Sequence, residues 1–460
     1  MAGTLGVELR RKGVDAVLMI PYYRATRQRE PGRSLRKKLK IPLGFEEAEG
    51  NIRRAEGREG LPVYFIQQDR LFDRAGLYGD GRADYPDNAA RFVFFSRAVL
   101  EAIEALGLAP DVIHCHDWQT GLVPFYLKTL YRPLFPDLPS IYTIHNLGYQ
   151  GIFWHYDMPL LGVGWEYFRM NALEFYGKIN FMKAGLVFSD RITTVSPTYA
   201  REIQNPDGGF GLDGVLRTFP EKITGILNGL DIQEWNPSAD PYLPASFGPE
   251  NLKGKSVCRK ELRRECGLRM RRDLPLISAV ARLSDQKGVD DILRATAHFA
   301  GTRSAQVVIL GTGDPVTEKT ASALGARYPG YVHAHIGFDE GLAHRIYAGS
   351  DIFLMPSRYE PCGLGQMIAM RYGALPVVRK TGGLADTVWE AGKLRNGYLF
   401  SGSRPPSFLR AVGRAVRDFT SKTDWDFKMR NGMTRDYSWG SRTDEYIRVY
   451  ADLAMKAKGA

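Results

Sequence analysis

The sequence predicts an α/β protein made of two doubly wound domains, each with a parallel sheet covered by helices on both faces. Short apolar runs alternate with helical patterns along most of the 460 residues, and such alternation implies parallel strands joined by crossover helices. The apolar runs are continuous, which is typical of strands buried on both faces. The chain is also too long for one ordinary hydrophobic core, so two domains are expected.

The predicted strands are short and rich in β-branched residues. They cover residues 14–20, 111–115, 140–145, 191–196, 276–281, 306–311, 351–356 and 375–378. Helical patterns between them include 89–106 and 286–299. The series pauses over 231–273, where proline and polar residues are frequent, so we predict the interdomain linker there. A cleft between the two domains is expected, with ligands beyond the carboxyl ends of the strands.

Composition excludes several classes of protein. Charged residues make up 25% of the chain and hydrophobic residues 44%, as in ordinary soluble proteins. No apolar run approaches the ~20 residues of a spanning helix, and the N-terminus lacks the apolar stretch of a signal peptide. The four cysteines form no CxxC pair, which fits a reducing compartment. We therefore expect a cytoplasmic protein with no membrane partner.

The net charge of +11 has two local sources, the basic segments 33–40 and 259–272. Leucine and glutamate are interspersed in them, so they are interpreted as solvated loop or helix faces. No RNA-stacking motif, zinc finger or helix-turn-helix accompanies them. We therefore expect no nucleic-acid partner, whereas an anionic substrate would need only a local cluster of cations.

The most informative segment covers residues 355–388, MPSRYEPCGLGQMIAMRYGALPVVRKTGGLADTV. It predicts two strand–loop–helix units in tandem, each with a glycine-rich loop that leads into a helix. The first loop carries Glu360 and Cys362, and the second carries Lys380 to Gly383. Helix N-termini present free N–H groups and a positive dipole end, which suit an anion. Since a carboxylate can bind sugar hydroxyls, the expected ligand is a sugar linked to phosphates.

Other loops also follow predicted strands. His114 and His116 would face the same way in a strand, as a metal pair does, but no third ligand has suitable spacing. We therefore expect no metal and interpret HDWQTG at 116–121 as a binding loop. His145 opens HNLGYQG, and a histidine followed by Asn and loop glycines is a candidate for substrate contact. Asn228 lies in ILNGLD, which alone indicates only a turn.

Arg282 and Lys287 flank a turn in ARLSDQKG, after the first strand of the second domain. Two fixed cations there could neutralise a diphosphate leaving group, although solvated surface cations are the alternative. The phosphate-suited loops of 355–388 favour the functional interpretation. LGTGDP at 310–315 lacks the third glycine and distant acid of a dinucleotide fingerprint, and no P-loop motif is present. The Asp-x-Asp at 424–426 lies in a polar helical tail and is interpreted as incidental.

These motifs resemble those of bacterial glycogen synthases and the related plant starch synthases. The strings that carry the resemblance are HDWQTG, HNLGYQG, KINFMKAGLVFSDRITTVSPTYAREI at 178–203, ILNGLD, ARLSDQKG, PSRYEPCGLGQ and RKTGGLADTV. The resemblance implies the GT-B fold, with two Rossmann-like domains facing an interdomain cleft. We expect an N-terminal, acceptor-side domain over 1–240, a donor-binding domain over 241–438, and a helix over 439–460 that packs back on the first domain.

The implied reaction is transfer of glucose from ADP-glucose to the non-reducing end of an α-1,4-glucan such as a glycogen primer. It retains configuration and uses neither a metal nor another cofactor. No carboxylate nucleophile is evident. A front-face mechanism, in which the leaving phosphate accepts the acceptor's proton, resembles what the family is proposed to use. Positioning and electrostatics would then account for most of the rate enhancement.

The resemblance also implies a role for each matching residue. Arg282 and Lys287 would bind the diphosphate. The glucose hydroxyls would be bound by Glu360, Cys362 and Gly363. The distal phosphate would be bound by the loop of Lys380, Thr381, Gly382, Gly383 and Leu384, mainly through backbone amides. The facing domain would contribute residues near the transferred glucose and the acceptor, namely His145, Asp117 and Asn228.

Two departures from the family pattern stand out. The family begins with a strand and a lysine-containing glycine loop, ahead of the helix that MAGTLGVELRRKG resembles. Their loss would leave neighbouring strands unpaired or re-paired and remove a lysine and amides from the site. A late start codon, a fragment or a divergent protein would each account for it. The first is favoured, and it predicts upstream in-frame sequence that encodes a strand and a Lys-x-Gly-Gly loop.

The second departure is Ile368, where many related GT-B transferases carry a second glutamate. Bacterial glycogen synthases lack it too, which supports the narrower family. Two alternatives stay open. Another retaining GT-B glycosyltransferase could use UDP-glucose, because no residue here distinguishes adenine from uracil on physical grounds. The chain could also be an inactive, truncated relic that binds glucan.

Overall fold

A computed structural model describes residues 2–81, 83–402 and 405–458. Contacts between residues divide the chain into two compact units. Unit 1 comprises Met1–Val195, Ala200–Ile226 and Trp439–Ala460. Unit 2 comprises Ser196–Tyr199 and Leu227–Ser438. No described helix is long and apolar enough to cross a membrane.

The strands described in unit 1 form three sheets. They are β1 (Leu18–Pro21), β2 (Arg33–Leu43), β3 (Glu46–Glu56), β4 (Pro62–Gln67), β5 (Ile113–His116), β6 (Ser140–Ile144), β7 (Ile152–Trp154), β8 (Glu174–Phe175), β9 (Lys178–Asn180), β10 (Arg191–Thr194) and β11 (Ile223–Gly225). The order β11-β10-β6-β5 is parallel throughout, whereas β1-β4-β3-β2 is mixed and β7-β9-β8 is antiparallel.

The helices before residue 227 are mostly short. They are α1 (Ala2–Arg11), α2 (Arg24–Arg29), α3 (Asp69–Phe72), α4 (Asn88–Ala105), α5 (Leu122–Lys128), α6 (Phe181–Phe188), α7 (Pro197–Glu202), α8 (Pro206–Gly209) and α9 (Asp213–Arg217). The long α4 lies in the core, because Phe92, Phe94 and Leu100 on it are fully buried.

The basic segment 33–40 is not a solvated loop or helix face, as the sequence analysis expected, but lies in β2. Leu39, Ile41 and Leu43 are buried in alternation with exposed residues. Lys38 and Lys40 point outward and pair with glutamates of β3. Three apolar residues at period two are thus enough to set one face of this strand against the core.

Unit 2 contains one parallel sheet among its described residues. Its strands are β12 (Leu276–Val280), β13 (Gln306–Gly311), β14 (Val332–Ile336), β15 (Ile352–Met355), β16 (Leu375–Arg379) and β17 (Tyr398–Phe400). The order is β14-β13-β12-β15-β16-β17, and every pairing is parallel. The chain therefore reverses its direction of winding between β12 and β15, where doubly wound sheets bind ligands.

Helices accompany this sheet, and a last helix returns to unit 1. They are α10 (Lys253–Glu265), α11 (Val289–Gly301), α12 (Pro315–Arg327), α13 (Glu340–Gly349), α14 (Gly365–Arg371), α15 (Gly382–Thr387), α16 (Pro405–Asp418), α17 (Lys422–Thr434) and α18 (Trp439–Lys458). Helix α18 packs on α1 through a buried cluster that includes Leu5, Leu9, Trp439 and Tyr446.

The predicted linker over 231–273 belongs to unit 2 instead of joining two bodies. Polar side chains hold it there. Asp240 accepts hydrogen bonds from Tyr372 Oη (2.5 Å) and His344 Nδ1 (2.7 Å). The ammonium of Lys255 donates to three backbone carbonyls of unit 2, at 2.7 to 3.1 Å. Proline and polar composition suggested a linker, but these buried hydrogen bonds anchor the segment.

Candidate active site

In unit 2, the loops after β12 and β15 lie against each other at the carboxyl edge of the sheet. Gly288 has a φ of +66°, and a Cβ there would lie 2.5 Å from the Pro356 carbonyl oxygen. The Arg358 amide donates to Gln286 O at 2.8 Å. Because only glycine allows this approach, the loop that carries Lys287 reaches the loop that carries Glu360.

Lys287 and Glu360 form an ion pair at that edge. The Lys287 Nζ to Glu360 Oε2 distance is 2.6 Å, and the side chains are 18% and 8% exposed. The Ser357 hydroxyl donates to the same carboxylate oxygen at 2.9 Å. Both charged residues were predicted for the site from sequence, and the structure brings them together. Ser357 was not predicted, although it follows directly after a predicted buried strand.

The second glycine loop packs directly on the first. A Cβ on Gly382, whose φ is +43°, would lie 1.9 Å from the Glu360 carbonyl oxygen. A Cβ on Gly383 would lie 2.2 Å from Cys362 O. Any side chain at either position would therefore separate the two loops. This contact explains two glycines of the TGG motif without reference to a ligand.

The amides expected to bind phosphate are engaged within the protein. The Thr381 amide donates to Arg379 O, and the Leu384 amide donates to Thr381 O. The Gly383 amide is shared between Glu360 O and Pro361 O, both at 3.2 Å. Helices α14 and α15 are only 7 and 6 residues long. In this arrangement the Gly383 amide is used by the contact between the two loops, and the Thr381 and Leu384 amides are used within their own segment, so a phosphate would have to displace these bonds.

Two cations of the site are exposed, Arg282 and Lys380. Within the described ranges, neither takes part in an ion pair. Arg379, by contrast, faces inward. Its guanidinium donates to Ser357 O at 3.0 Å and lies 3.9 Å from Asp291. The exposed cations are thus available to a solvent-borne anion, whereas Arg379 supports the loop.

Gln366 joins the remaining parts of the loop. Its Nε2 donates to Cys362 O (3.2 Å), Gly363 O (2.9 Å) and Thr387 Oγ1 (3.1 Å). Its Oε1 has no partner among the described residues. Cys362 is buried and forms no disulfide with a described residue. Gln366 was not predicted as part of the site, because its complete burial, which places it in a hydrogen-bond network, is seen only in the fold.

Asn228 lies in unit 2 by its contacts, not in the first domain, where the sequence analysis placed it. The bridge of Leu230 to Ser438 holds this turn in unit 2. The Asn228 side chain is 2% exposed, and its Oδ1 lacks a hydrogen-bond partner in the described part of the chain. A buried oxygen without a donor is unfavourable, so Asn228 remains a candidate for a hydrogen bond from a ligand.

In unit 1, Asp117 and His145 follow β5 and β6, two neighbouring parallel strands. Asp117 Oδ1 accepts a hydrogen bond from the His145 amide at 2.8 Å. Asp117 has a φ of +55°, which is strained for a residue other than glycine. Burial raises the pKa of its carboxyl to about 7, although backbone hydrogen bonds from His145 and Asn146 oppose the shift.

Burial lowers the pKa of His145 to about 4, so its imidazole is neutral near pH 7. His145 Nε2 lies 3.0 Å from His116 Nδ1, and one of the two nitrogens donates to the other. His145 Nδ1 is buried without a described partner. Both nitrogens of His114 are engaged, by Thr143 Oγ1 (2.6 Å) and Tyr450 Oη (2.7 Å). His114 therefore offers no free nitrogen to pair with His116 on a metal.

Comparison with known proteins matches both parts of the chain. Residues 1–218 match the family described as the starch synthase catalytic domain, and 267–431 match glycosyl transferases group 1. A glycogen synthase of Anaeromyxobacter dehalogenans strain 2CP-C is 45% identical, over 99% of this chain and 95% of the relative. One from Geotalea daltonii strain FRC-32 is 41% identical, over 100% and 96%.

Two solved structures share the fold. The catalytic domain of starch synthase IV from Arabidopsis thaliana, bound to ADP and acarbose, matches with a TM-score of 0.90 and 34% identity. The match covers 99% of this chain and 95% of that one. A sucrose-phosphate synthase from Thermosynechococcus elongatus matches with a TM-score of 0.61 at 16% identity, over 98% and 91%, and this likeness concerns the fold alone.

Proposed function

The chain belongs to the glycogen synthase family, as a GT-B glucosyltransferase that extends an α-1,4-glucan, and we propose that its donor is ADP-glucose. The family and the fold are those that the motifs predicted. The donor is supported by the 34% identical starch synthase IV domain, which was solved with ADP and acarbose. The low number of cysteines, four in 460 residues, supports a cytoplasmic location.

The observation that carries the proposal of a sugar-diphosphate donor, whichever its base, is the ion pair of Lys287 with Glu360 at the reversal point of the unit 2 sheet. Lys287 is held by a carboxylate, and Arg282 is exposed nearby in sequence with no ion-pair partner among the described residues. A diphosphate would bring two or more negative charges to these cations. Charge that develops on the leaving phosphate as the glycosidic bond breaks would then be stabilised by groups already in place.

Donor binding would separate the two members of the ion pair, because each would bind a different part of the ligand. Lys287 would move from Glu360 towards a phosphate oxygen, and the carboxylate would turn to the glucose hydroxyls. Ser357 would keep its hydrogen bond to Glu360 and limit how far that carboxylate rotates. Breaking a buried pair without replacement is costly, so the site would favour a ligand that presents both a phosphate and a sugar.

The phosphate would also have to displace the bonds that join the second glycine loop to the first. The Gly383 amide is shared between two carbonyls of the first loop, both at 3.2 Å, which is the long end of the usual range. A phosphate oxygen is a charged acceptor and forms a stronger bond with the same donor. We therefore propose that the amides of Gly382, Gly383 and Leu384 turn to the distal phosphate when the donor binds, with Lys380 beside them.

In unit 1, we propose that His145 and Asp117 bind the transferred glucose or the acceptor. A neutral imidazole with a buried, unpartnered nitrogen can hydrogen-bond a sugar hydroxyl without adding charge. Asp117 would hold the His145 loop through its backbone bond. In unit 2, the side-chain oxygen of Asn228, which has no described partner, would accept a hydrogen bond from a further sugar hydroxyl.

The proposed transfer occurs on one face of the glucose. The bond from the anomeric carbon to the phosphate oxygen breaks while the acceptor hydroxyl oxygen bonds to the same carbon. The hydroxyl proton passes to a phosphate oxygen of the departing ADP, so no protein nucleophile is needed. Positioning and the fixed cations would supply most of the rate enhancement.

Transfer of labelled glucose to a glycogen primer tests this proposal, with ADP-glucose and UDP-glucose as separate donors. We expect transfer from ADP-glucose, and a kcat for Lys287→Ala lower by roughly 10²- to 10³-fold, with glucan binding unchanged. Lys319→Ala, an exposed lysine on α12, serves as the control and keeps wild-type turnover.

Three results would contradict parts of the proposal. Transfer from UDP-glucose alone excludes the ADP-glucose donor and favours the alternative transferase. No transfer from either donor, with glucan binding retained, favours the glucan-binding relic. Equal losses of turnover and glucan binding in Lys287→Ala exclude a leaving-group role for this lysine.

A further inference from the structure

Three potential metal ligands meet in unit 2 outside the proposed donor site. They are Glu234, Glu340 and His344, and their ligand atoms all lie within 4.8 Å of one another. Both carboxylates are exposed, whereas the imidazole is buried. Glu340 and His344 are four residues apart on α13, so they share one face of that helix. Glu234 comes from the segment before Asp240.

The state of His344 is the independent observation that points to a ligand. The residue is 1% exposed, and its Nδ1 lies 2.7 Å from Asp240 Oδ2. A carboxylate only accepts, so Nδ1 carries a proton, and in the neutral imidazole the lone pair is then on Nε2. That Nε2 is buried and has no hydrogen-bond partner in the described ranges. A buried nitrogen of this kind is unfavourable unless something binds it.

The surroundings hold the imidazole in one orientation. Trp235 stacks on His344 with ring centroids 4.0 Å apart and an angle of 9° between the planes. Asp240 is itself fixed by the Tyr372 hydroxyl, at 2.5 Å. Metal-binding histidines commonly donate their second nitrogen to a carboxylate, which sets the tautomer and the ring direction. The Tyr372–Asp240–His344 chain has that arrangement.

Glu234 and Glu340 are not paired with any described basic residue. Over the residues that the structure describes, neither takes part in an ion pair. The neighbouring arginines are occupied: Arg345 pairs with Glu265 at 2.7 Å, and the Arg371 guanidinium donates to Trp235 O at 2.5 Å. In the part of the chain that the structure describes, two carboxylates thus lie beside one buried imidazole without a cation paired to either of them.

We propose that Glu234, Glu340 and His344 bind one zinc ion, with Asp240 as the outer group that orients the imidazole. One nitrogen and two carboxylate oxygens, with water in the fourth position, suit zinc, whereas Mg²⁺ and Ca²⁺ prefer oxygen ligands alone. Bonds of about 2.0–2.2 Å at a tetrahedral angle place ligand atoms roughly 3.3 Å apart. The ligand atoms now lie within 4.8 Å of one another, and rotation of the exposed glutamate side chains would bring them to the shorter separation.

The ion would fasten the segment around Glu234 to α13. None of its three ligands belongs to the donor site, so it would stabilise unit 2 without taking part in glucose transfer. Zinc binding there is therefore independent of the identity of the donor. The segment that the ion would fasten is the one that composition suggested as a linker and that tertiary contacts hold in place.

Zinc binding to the full chain tests the proposal. Protein stripped with a chelator is titrated with Zn²⁺, and bound metal is counted after dialysis for the wild type, Glu234→Gln/Glu340→Gln and Glu250→Gln. Glu250 is an exposed glutamate of the same unit and serves as the matched control. Histidines elsewhere, such as His116, bind any adventitious zinc equally in all three proteins, so the difference in stoichiometry reports the proposed site.

We expect the wild type and Glu250→Gln to bind one zinc ion more than the double variant, and zinc to raise their melting temperature but not that of the double variant. Co²⁺ in place of zinc should give the visible absorption of a tetrahedral ion only where the site is intact. The same stoichiometry and the same rise in melting temperature in all three proteins would overturn the assignment. The substituted glutamates are exposed, so both variants should fold, and unchanged glucose transfer verifies this.

Discussion

Replacement of Lys287 by methionine tests how much the ion pair with Glu360 contributes to the stability of the donor site. The substitution keeps most of the aliphatic volume and removes the charge that faces Glu360. That carboxylate is 8% exposed, so water can reach little of it, and among the described residues only the Ser357 hydroxyl remains as a partner of its Oε2. Breaking a buried pair typically costs ~3–5 kcal/mol. Because Ser357 remains and Lys287 is partly exposed, we expect about 2–3 kcal/mol in the free energy of unfolding of unit 2.

Thermal unfolding of four proteins gives the coupling directly: the wild type, Lys287→Met, Glu360→Gln and the double variant. A loss of 1 kcal/mol lowers the melting temperature of a domain of this size by roughly 2–4 °C, so Lys287→Met should melt about 4–12 °C lower. The double variant should recover at least half of that loss, because a neutral glutamine leaves no unpaired charge behind. Lys319→Met, on the exposed face of α12, should melt with the wild type.

The coupling energy decides the interpretation. A value below ~0.5 kcal/mol would mean that the two charges act independently, and the close approach of Lys287 to Glu360 would then not organise the site. A double variant less stable than both single variants would show that the lysine stem, rather than its charge, supports the loop.

Three further predictions concern other parts of the molecule. Burial raises the pKa of Asp117 to about 7, so between about pH 4 and pH 7 the folded state keeps a proton that the unfolded state releases. The free energy of unfolding should therefore fall by at most ~4 kcal/mol as the pH rises through this range. The melting temperature of Asp117→Asn relative to wild type should therefore rise between pH 5 and pH 8, and a constant difference would contradict this reasoning. Gly382→Ala should lower the free energy of unfolding by ~1–3 kcal/mol more than Gly392→Ala does. Both glycines have a positive φ, but of the two only Gly382 would bring a Cβ within 1.9 Å of a carbonyl oxygen. Equal losses of stability would show that the surrounding loop relaxes to admit the methyl group. Burial lowers the pKa of Lys255 to about 8, so wild-type stability should rise from pH 8 to about 10 as the unfolded state alone holds the proton. Lys255→Met should not show this rise and should be about 3 kcal/mol less stable to unfolding, because three carbonyls lose their donor. A stability–pH profile parallel to that of the wild type would exclude Lys255 as the source of the rise.

Local sequence patterns located most of the unit 2 sheet. The predicted strands at 276–281, 306–311, 351–356 and 375–378 correspond to β12, β13, β15 and β16, because a strand buried on both faces is a continuous apolar run. Strands β14 and β17 were missed. Alternating histidines in VHAHI weaken the apolar signal of β14, and β17 has only three residues.

Unit 1 was harder to predict, because its first sheet is mixed. The hairpin of β2 and β3 carries charged residues on its outer face, and only alternate positions are buried. A basic run such as RSLRKKLK has the same composition in a strand, a loop or a helix face. Only its pairing with β3, and the core behind Leu39 and Ile41, distinguish the strand from the other two.

The sequence by itself determined the family, the fold class and the loops that carry Lys287, Glu360 and Gly382, because these depend on contiguous motifs and on periodicity. Tertiary structure alone decided which groups in those loops are free. It pairs Lys287 with Glu360, engages the amides of the TGG loop and assigns Asn228 to unit 2. Hydrogen bonds and ion pairs between segments distant in sequence form or fail on differences in distance of a few tenths of an ångström, which no local pattern of residue types encodes.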